Sequence, residues 1–280
     1  MTVIKKIAEN KNIIKSAVLT AALCGFLYFE NKCLTVSEYI AESLKISENN
    51  DGLCIVQISD LQNTEFGHKN KRLINKIKSL GPDIIVITGD IVDCHRTDIY
   101  SALDFAKEIG KICKVYYVCG NHEGVLGNYK RLCYDLRENG VIVLNNESVY
   151  FDEEKNIRIT GMTDPYFGFV KDIPSMLKKK AAEDKNAFNI LLSHRPELFK
   201  IYAKSGFDIA FCGHAHGGQI RLPFIGGLFS PHQGFLPKYT SGVYQNGGFK
   251  MIVSRGLGNS VFPFRIFNRP EIVKVVLKKF

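Results

Sequence analysis

Apolar residues recur along the middle of the chain in short, regularly spaced runs. The runs at 53–59, 83–89 and 113–119 are nearly continuous in Val, Ile, Leu and Tyr, as expected of strands buried on both faces. Between them, residues 69–80 and 99–110 place apolar side chains at helical spacing. Strands that alternate with helices predict βαβ units and a largely parallel sheet.

The pattern then becomes richer in strands. A third helix is predicted over 128–138, and residues 222–249 are so dense in Gly, Pro and aromatics that we interpret them as long loops. Further strands are predicted at 141–144, 149–151, 157–162, 188–193, 208–212, 251–254 and 271–277. No linker composition interrupts 53–280, so we expect one domain there.

The N-terminal segment, residues 1–30, has a different character. Four lysines precede the uncharged run "SAVLTAALCGFLYF" at 16–29, which is short for a membrane span of roughly 17–25 residues. No small-residue cleavage site follows. We interpret the segment as an uncleaved membrane anchor, with a cleaved signal or a buried core helix as alternatives. The lysine excess predicts a cytoplasmic N-terminus and an extracytoplasmic remainder. Residues 31–52 are interpreted as a linker and a first strand near 34–36.

Composition is ordinary for a globular protein, with 45% hydrophobic and 23% charged residues. The net charge of +9 suits an anionic partner such as a phosphate compound, an anionic lipid or a nucleic acid, or serves solubility alone. The eight cysteines form no CxxC pair, which argues against a zinc ribbon. Cys54, Cys119 and Cys212 lie in or at the end of apolar runs, where a thiol is typically a small buried hydrophobe.

Polar residues with metal-binding side chains follow five of the predicted strands. Since ligands collect at the carboxyl ends of strands in open α/β sheets, we expect these side chains to meet at one edge. Each alone has a structural explanation as a cap, a turn residue or a hydrogen-bonded histidine, so the coincidence carries the prediction. The residues are Asp60, Asp90, Asn121, His122, His194, His214 and His216.

The chemistry of this set points to metal ions. It combines carboxylates, imidazoles and an amide without a thiolate, which favours Mn, Fe, Zn or Co. One ion needs fewer ligands than the set offers. Two ions roughly 3.5–4 Å apart suit it, and such a pair can clamp a phosphoryl group and generate a hydroxide at neutral pH.

The same residues form an ordered set of motifs. They read "DLQ" at 60–62, "GDIVD" at 89–93, "GNHE" at 120–123, a strand-end His194 and "GHAH" at 213–216. This set resembles the calcineurin-like metallophosphoesterases. The stretches "GHAHGGQIRLPFIGGLF" and "SRGLGNSVFPFRIFNRPEI" are similar to its membrane-anchored bacterial branch, which includes phosphodiesterases similar to UDP-2,3-diacylglucosamine hydrolase. The resemblance covers roughly 30–280 and implies an α/β fold, a four-layer α/β/β/α sandwich with two mixed sheets, plus the N-terminal hydrophobic helix.

The resemblance also implies a role for each residue. Asp90 would bridge two divalent ions, and a hydroxide between them would attack phosphorus in line. His122 would stand beside the leaving-group oxygen as general acid, without binding metal. The other implied ligands are Asp60 and His216 for the first ion, and Asn121, His194 and His214 for the second.

Gln62 departs from the family pattern, which has a histidine there as a ligand of the first ion. A neutral amide oxygen is a weaker ligand than imidazole for Zn or Fe. Gln62 therefore either binds through its oxygen, leaves a position to water, or weakens the first site until the protein works with one ion or is inactive. We favour a functional but weaker first site.

Three further residues carry two interpretations each. Asp93 and Glu123 are expected to orient a ligand from outside the metal shell, with helix capping as the alternative for both. Arg255 is expected to reach a substrate phosphate as a bidentate donor, or else to form a structural ion pair.

The sequence thus predicts a metal-dependent hydrolase of phosphate esters, a phosphodiesterase or a lipid-linked pyrophosphatase. The alternatives are a metal-binding scaffold impaired by Gln62, or a nuclease. The expected partners are a phosphate ester and a membrane, with no specific nucleic acid, and we expect a monomer. Loop aromatics either meet an acyl chain or bilayer surface or pack in the interior; they are Phe224, Phe229, Phe235, Phe262, Phe264 and Phe267.

Overall fold

The computed structural model describes residues 2–152, 156–259 and 262–280. Its first element is a long helix, α1 (Thr2–Lys32). Among the described helices, α1 alone has a segment long and apolar enough to cross a membrane, from Ile13 to Lys32. Only 6% of that segment is buried. The alternative of a buried core helix is therefore wrong, while a membrane anchor and a signal segment both fit.

The first of two six-stranded sheets, sheet 1, brings together strands from both ends of the chain. In order across the sheet it contains β1 (Thr35–Ser43), β16 (Glu271–Lys279), β2 (Cys54–Ile58), β3 (Ile84–Thr88), β4 (Lys114–Val118) and β5 (Val141–Val143). Strands β2 to β5 are parallel, and β16 joins β2 antiparallel and β1 parallel. The first strand is thus longer than predicted and forms the edge of the sheet.

Sheet 2 has the same mixed character. In order it contains β14 (Gly242–Asn246), β15 (Phe249–Val253), β9 (Ile209–Cys212), β8 (Phe188–Leu192), β7 (Ile157–Gly161) and β6 (Ser148–Asp152). The four central strands are parallel, and both edge strands are antiparallel to their neighbours.

Three apolar clusters separate the layers. Alternation along each strand sends Ile55 and Val86 toward sheet 2, and Val56 and Ile85 toward the helices over sheet 1. The outer helices over sheet 1 are α2 (Lys71–Ser79), α3 (Ile99–Gly110) and α5 (Tyr129–Glu138), and those over sheet 2 are α6 (Ile173–Ala182) and α7 (Phe199–Tyr202). The predicted four-layer α/β/β/α sandwich is confirmed.

The region 222–249 is more structured than predicted. It contains β14, and a two-residue hairpin turn of Gly247 and Gly248 connects β14 to β15. The sequence "NGG" at 246–248 is typical of such a turn. Before it lie two small hairpins, formed by β10 (Arg221–Leu222) with β11 (Gly226–Gly227) and by β12 (Phe229–Ser230) with β13 (Gly234–Phe235). Such short strands leave no hydrophobic period for sequence reasoning to detect.

The eight cysteines are all free thiols. Cys54, Cys119 and Cys212 are buried, as predicted from their apolar surroundings.

Candidate metal centre

The carboxyl ends of the parallel strands in the two sheets deliver the predicted side chains to one place. Asp60 follows β2, Asp90 follows β3, and a short helix, α4 (Asn121–Val125), begins directly after β4. His194 follows β8, while His214 and His216 follow β9. Asp60, Asp90, His194, His214 and His216 are each at most 2% exposed, so the strand ends form a buried polar centre between the sheets.

One group of ligand atoms joins Asp60, Asp90 and His216. Their carboxylate and imidazole atoms all lie within 4.8 Å of one another. His216 Nε2 is 3.4 Å from Asp60 Oδ1. The Nδ1 atom of His216 faces the carbonyl of Gly258 at 3.3 Å, so its proton belongs on Nδ1 and Nε2 is left as the donor to a metal. We call this group the first cluster.

A second group shares Asp90 and adds His194 and His214. His194 Nε2 lies 3.2 Å from Asp90 Oδ2 and 3.0 Å from His214 Nδ1. His194 Nδ1 faces the carbonyl of Thr88 at 2.8 Å, which again directs Nε2 into the cluster. We call this group the second cluster. The two clusters meet at the carboxylate of Asp90.

Two amide oxygens support the fit of this centre to metal ions. Asn121 Oδ1 and Gln62 Oε1 are buried, and neither has a hydrogen-bond partner among the described residues. A buried acceptor without a donor is costly, and a cation would satisfy it. With the carboxylates and directed imidazoles, these oxygens form the nitrogen and oxygen donor set that divalent Mn, Fe, Zn and Co accept.

Gln62 reaches the first cluster with its side chain. Its Nε2 lies 3.3 Å from His216 Nε2, 3.3 Å from His122 Nε2 and 3.5 Å from Asp90 Oδ2. A half-turn of the amide exchanges its oxygen and nitrogen and directs Oε1 toward the same groups, as a metal ligand requires. The glutamine is therefore placed where the resemblance expects a histidine ligand.

The charges of the second cluster are strongly coupled. Burial disfavours the charged forms of both Asp90 and His194, but their ion pair prevails: it holds the pKa of Asp90 below its ordinary value and raises that of His194 to about 10. Burial lowers the pKa of His214 and His216, aided at His214 by His194 and Arg195. The lowered pKa values favour the neutral imidazoles that bind a metal, whereas at His194 a metal competes with a proton.

The backbone at the centre adopts unfavourable conformations. Asp60, Asp90 and His216 have φ of 51°, 52° and 46°, in the left-handed region that non-glycine residues rarely occupy. Each such residue costs about 1–3 kcal/mol. Gly120 keeps the strand ends close, because a Cβ there would clash with Asp90 Oδ1. These left-handed conformations direct the side chains of Asp60, Asp90 and His216 into the two clusters.

His122 lies beside the clusters with its two nitrogens facing opposite ways. Nδ1 accepts a hydrogen bond from the backbone N–H of Cys94 at 3.1 Å, so the proton of the neutral ring sits on Nε2. Nε2 points toward the centre, 3.9 Å from Asp90 Oδ2. This orientation presents an N–H donor at the edge of the first cluster.

Glu123 ties the loops after β3 and β4 together. Its carboxylate accepts backbone N–H bonds from Gly120 at 2.7 Å, Asp90 at 2.9 Å and Ile91 at 2.8 Å. Burial, and next the charge of Asp90, raise its pKa to about 7. The side chain holds Asp90 from outside the clusters, and its bond from the N–H of Gly120, the residue before α4, is also a helix-capping contact. The orienting role stays a prediction.

Replacing Glu123 with glutamine is expected to destabilise the protein by about 1–3 kcal/mol, because the new NH₂ group faces backbone N–H donors that then lose their acceptor. Denaturant unfolding of the metal-free chain measures the change. Glu138→Gln, on an exposed position of α5, is the control and should shift stability by less than about 0.5 kcal/mol. Equal stability of Glu123→Gln and the parent would refute this role.

Asp93 and Arg255 stand apart from the clusters. Asp93 Oδ1 lies 3.7 Å from His122 Nδ1, and Oδ2 accepts from Arg96. It thus lies against His122 and not against a member of either cluster. Arg255 donates from Nε to Glu271 at 3.1 Å and from Nη2 to Thr35 at 3.1 Å. Its contacts are those of the structural ion-pair alternative, and the substrate-binding role stays a prediction.

Sequence reasoning missed a charged pair behind the second cluster. Arg195 donates to both carboxylate oxygens of Asp164, at 2.6 and 2.9 Å, and its Nη1 lies 3.0 Å from His214 Nε2. His232, from the region predicted as loop, places Nδ1 2.9 Å from the same nitrogen. Arg195 directly follows the predicted ligand His194 in the sequence, which could have indicated a position near the centre. No local sequence pattern indicated that His232 lies there.

Comparison with known proteins agrees with this geometry. The profile of the family described as "Calcineurin-like phosphoesterase" matches residues 54–218. The metallophosphoesterase YkuE of Bacillus subtilis (strain 168) is 31% identical over 263 residues, covering 90% of this chain and 88% of its own. Phosphodiesterase YaeI of Escherichia coli (strain K12) is 27% identical over 231 residues, covering 80% and 81%.

A further relative is longer than this chain. The "Transmembrane protein with metallophosphoesterase domain" of Danio rerio is 27% identical over 251 residues, which cover 84% of this chain and 55% of that protein.

Proposed function

The chain belongs to the calcineurin-like phosphoesterases and is a metal-dependent hydrolase of phosphate esters, and we propose that it cleaves phosphodiesters with two divalent ions held by the first and second clusters. The observation that carries this proposal is the sharing of Asp90 between two groups of buried ligand atoms. A shared carboxylate holds two ions close enough to act on one phosphoryl group.

We assign the ligands by cluster. When bound, the ions supply Lewis acidity toward the phosphoryl oxygens and a strong oxygen nucleophile at neutral pH. Gly258 and Thr88 keep the imidazoles of His216 and His194 directed inward through their carbonyls. The first ion would be held by Asp60, Asp90, His216 and, more weakly, Gln62; the second would be held by Asp90, Asn121, His194 and His214.

His122 is the proton donor in this proposal. Its Nε2 faces the centre, and the N–H of Cys94 on Nδ1 keeps the proton on that side. As the ester bond breaks, Nε2–H protonates the leaving oxygen. The backbone N–H of His122 also donates to Asp90 Oδ1 at 2.9 Å, which ties the acid to the shared ligand.

A chelation experiment tests the proposed activity. The full chain in detergent micelles is stripped of metal and assayed with bis(4-nitrophenyl) phosphate before and after Mn²⁺ is added. We expect no hydrolysis without metal and recovery with it. The control His68→Ala removes a histidine from an exposed loop position and should behave as the parent. Hydrolysis that survives chelation would contradict the proposal.

Replacing Gln62 with histidine is expected to tighten the first site by about tenfold or more, since imidazole binds Mn, Fe or Zn better than a neutral amide. Competition with a metallochromic chelator measures the affinity of each ion. Hydrolysis by the parent, with weaker binding of one ion than in Gln62→His, supports a working but weakened site. A parent that is inactive with every metal, and a Gln62→His variant that is active, would favour the scaffold alternative.

The end of α1 is attached to the loop that supports the first cluster. Asn31 Oδ1 accepts from the backbone N–H of Arg265 at 3.0 Å, and Glu30 Oε2 accepts from that of Asn268 at 2.8 Å. Asn268 Nδ2 in turn donates to the carbonyl of His216 at 2.7 Å. The helix and the centre are thus joined through two residues of one loop.

A pocket of about 470 Å³ lies between this helix end and the centre, with Asn31 and Lys32 on one side and Gln62 on the other. The six loop phenylalanines named above are 43–109% exposed, so the alternative of interior packing is wrong for them. Phe267 packs against Phe26 of α1 with ring centroids 5.6 Å apart. Exposed apolar side chains of this kind suit a bilayer surface. These features support a membrane-anchored enzyme acting on a lipid-linked phosphate ester.

Topology and assembly follow from the same features. The lysine excess before the apolar segment supports an extracytoplasmic catalytic domain, and the "Transmembrane protein" relative supports the anchor. One chain supplies every ligand of both clusters, so a monomer suffices for the proposed chemistry.

Replacing Phe224 and Phe235 together with serine is expected to raise the apparent KM for a phosphodiester lipid in vesicles by about tenfold or more. The reason is that each phenylalanine that moves from water into the bilayer contributes about 1.5–3 kcal/mol to binding. The KM for a soluble chromogenic diester should not change. Tyr134→Ser, at an exposed aromatic of α5, is the matched control. Equal KM changes on both substrates would argue against lipid contact.

A further inference from the structure

A second set of metal-binding side chains lies on the far side of His122, outside both clusters. Three of its members are consecutive in the loop after β3, and the fourth is His122 itself. Each offers one ligand atom, and these four atoms lie within 4.8 Å of one another. We call this set the Cys94 cluster; it consists of Asp93, Cys94, His95 and His122.

The spacing within the Cys94 cluster matches that of a tetrahedral site. Cys94 Sγ lies 3.3 Å from His95 Nδ1. Asp93 Oδ1 lies 3.5 Å from His95 Nδ1 and 3.7 Å from His122 Nδ1. Metal bonds of about 2.0–2.3 Å at tetrahedral angles place ligand atoms roughly 3.3–3.7 Å apart. Three of the six distances among the four ligand atoms thus fall in this range, and the Cys94 N–H on His122 Nδ1 must move aside for an ion.

The donor types differ from those of the catalytic clusters. One thiol, two imidazoles and one carboxylate form a set that suits Zn²⁺ or Co²⁺ and disfavours Mg²⁺, Ca²⁺ or Mn²⁺. The first and second clusters contain no sulfur ligand. Mn²⁺ therefore suits the catalytic clusters and not the Cys94 cluster, whereas Zn²⁺ and Co²⁺ suit both.

The loop that carries the cluster is held in place but open to solvent. The N–H of Asp93 donates to Asn63 Oδ1 at 2.9 Å, and Thr97 Oγ1 donates to the carbonyl of Asp93 at 2.8 Å. Arg96 donates to Oδ2 of Asp93, and the backbone N–H of His95 donates to Oδ1 at 2.9 Å, so Oδ1 faces the cluster with one lone pair in use. The side chain of His95 is 74% exposed, so an ion can enter without opening the core.

The effect on His122 follows from its two nitrogens. Nδ1 belongs to the Cys94 cluster, and Nε2 faces the catalytic centre. An ion on Nδ1 takes the place of the Cys94 N–H, and the ring keeps its proton on Nε2. The ring is then fixed by a metal bond with its N–H directed at the substrate.

We propose that the Cys94 cluster is a third metal site, selective for a zinc-like divalent ion, which positions His122. The positioning role rests on the proposed function of His122 as proton donor, whereas the site itself does not. Binding releases the Cys94 thiol proton to solvent, and the thiolate and the Asp93 carboxylate, which also pairs with Arg96, then face the divalent ion.

Cobalt absorption tests the site without any measurement of activity. The full chain in detergent micelles, with its paired sites filled by Mn²⁺, is titrated with Co²⁺. We expect a thiolate-to-cobalt charge-transfer band in the near ultraviolet that saturates at one ion per chain. Cys94→Ser should abolish the band and His95→Ala should weaken binding about tenfold or more. Cys113→Ser, at another partly exposed thiol, should keep it. Absence of the band, or its persistence in Cys94→Ser, would overturn the site.

Nitrogen NMR of the histidine side chains tests the positioning. With Zn²⁺ added after Mn²⁺ is replaced by diamagnetic Mg²⁺, the Nδ1 of His122 should shift as a metal-bound nitrogen while Nε2 keeps its proton. Unchanged His122 resonances, or binding through Nε2, would refute the positioning role even if the cobalt band is present. An inactive enzyme with both signals intact would instead count against the proposed function alone.

Discussion

Replacing Asp90 with alanine is expected to remove both ions and to lower hydrolysis by at least about 10³-fold, because two-metal catalysis contributes several kcal/mol to the transition state. Among the residues that the structure describes, Asp90 alone belongs to both clusters. Asp90 also accepts the backbone N–H of His122 at 2.9 Å, so the change disturbs the proton donor too. Elemental analysis and the rate with a chromogenic diester measure the two effects.

The control for this change is Asp83→Asn at the opposite end of β3. Asp83 accepts the backbone N–H of Cys54 at 2.8 Å and lies at the end of the strand away from the centre. It should keep both ions and the rate. If Asp90→Ala kept two ions per chain, Asp90 would not be the shared ligand.

Replacing His122 with alanine is expected to lower the rate by about 10²–10⁴-fold while both catalytic ions stay bound, since it removes a positioned general acid. The loss should depend on the leaving group. An alkyl alcohol needs a proton as it departs, whereas 4-nitrophenolate leaves without one. The ratio of the two losses is therefore the measurement that identifies the acid.

The metal content of His122→Ala, measured in the same samples, is the internal control. Equal losses on alkyl and nitrophenyl esters would indicate that His122 stabilises charge without giving up a proton. Loss of one catalytic ion would instead make it a ligand. Either result would contradict its assignment as general acid.

Much of the centre was predictable because it depends on strand ends. A strand buried on both faces stands out as an apolar run, and the residue after it lies at a known edge of the sheet. That is why Asp60, Asp90 and His194 were found by pattern alone. The structure adds that their side chains meet in two groups with one shared carboxylate.

What the sequence did not reveal depends on contacts between distant segments. His232 reaches His214 from a loop with no periodic pattern, and β14 is recognisable as a strand only beside β15. The same holds for His122, whose two nitrogens face different groups of ligands. Such orientations follow from packing, which leaves no local trace in the sequence.

The structure places the side chain of Gln62 at the first cluster. Its amide is within 3.3 Å of His216 and its oxygen is buried without a partner among the described residues. The side chain therefore lies where the proposed first ion would take a ligand, and the metal titration of Gln62→His measures how much the glutamine lowers the affinity of that proposed site.

The central claim is that two ions share Asp90 and act together. The most direct test titrates Mn²⁺ into the metal-free full chain in detergent micelles while bound metal and phosphodiester hydrolysis are measured in the same samples. Mn²⁺ suits this test because it disfavours the sulfur-containing site. We predict that the rate stays low at one bound ion and reaches its plateau at two ions per chain. Two bound ions without hydrolysis, or full hydrolysis with one, would contradict the account.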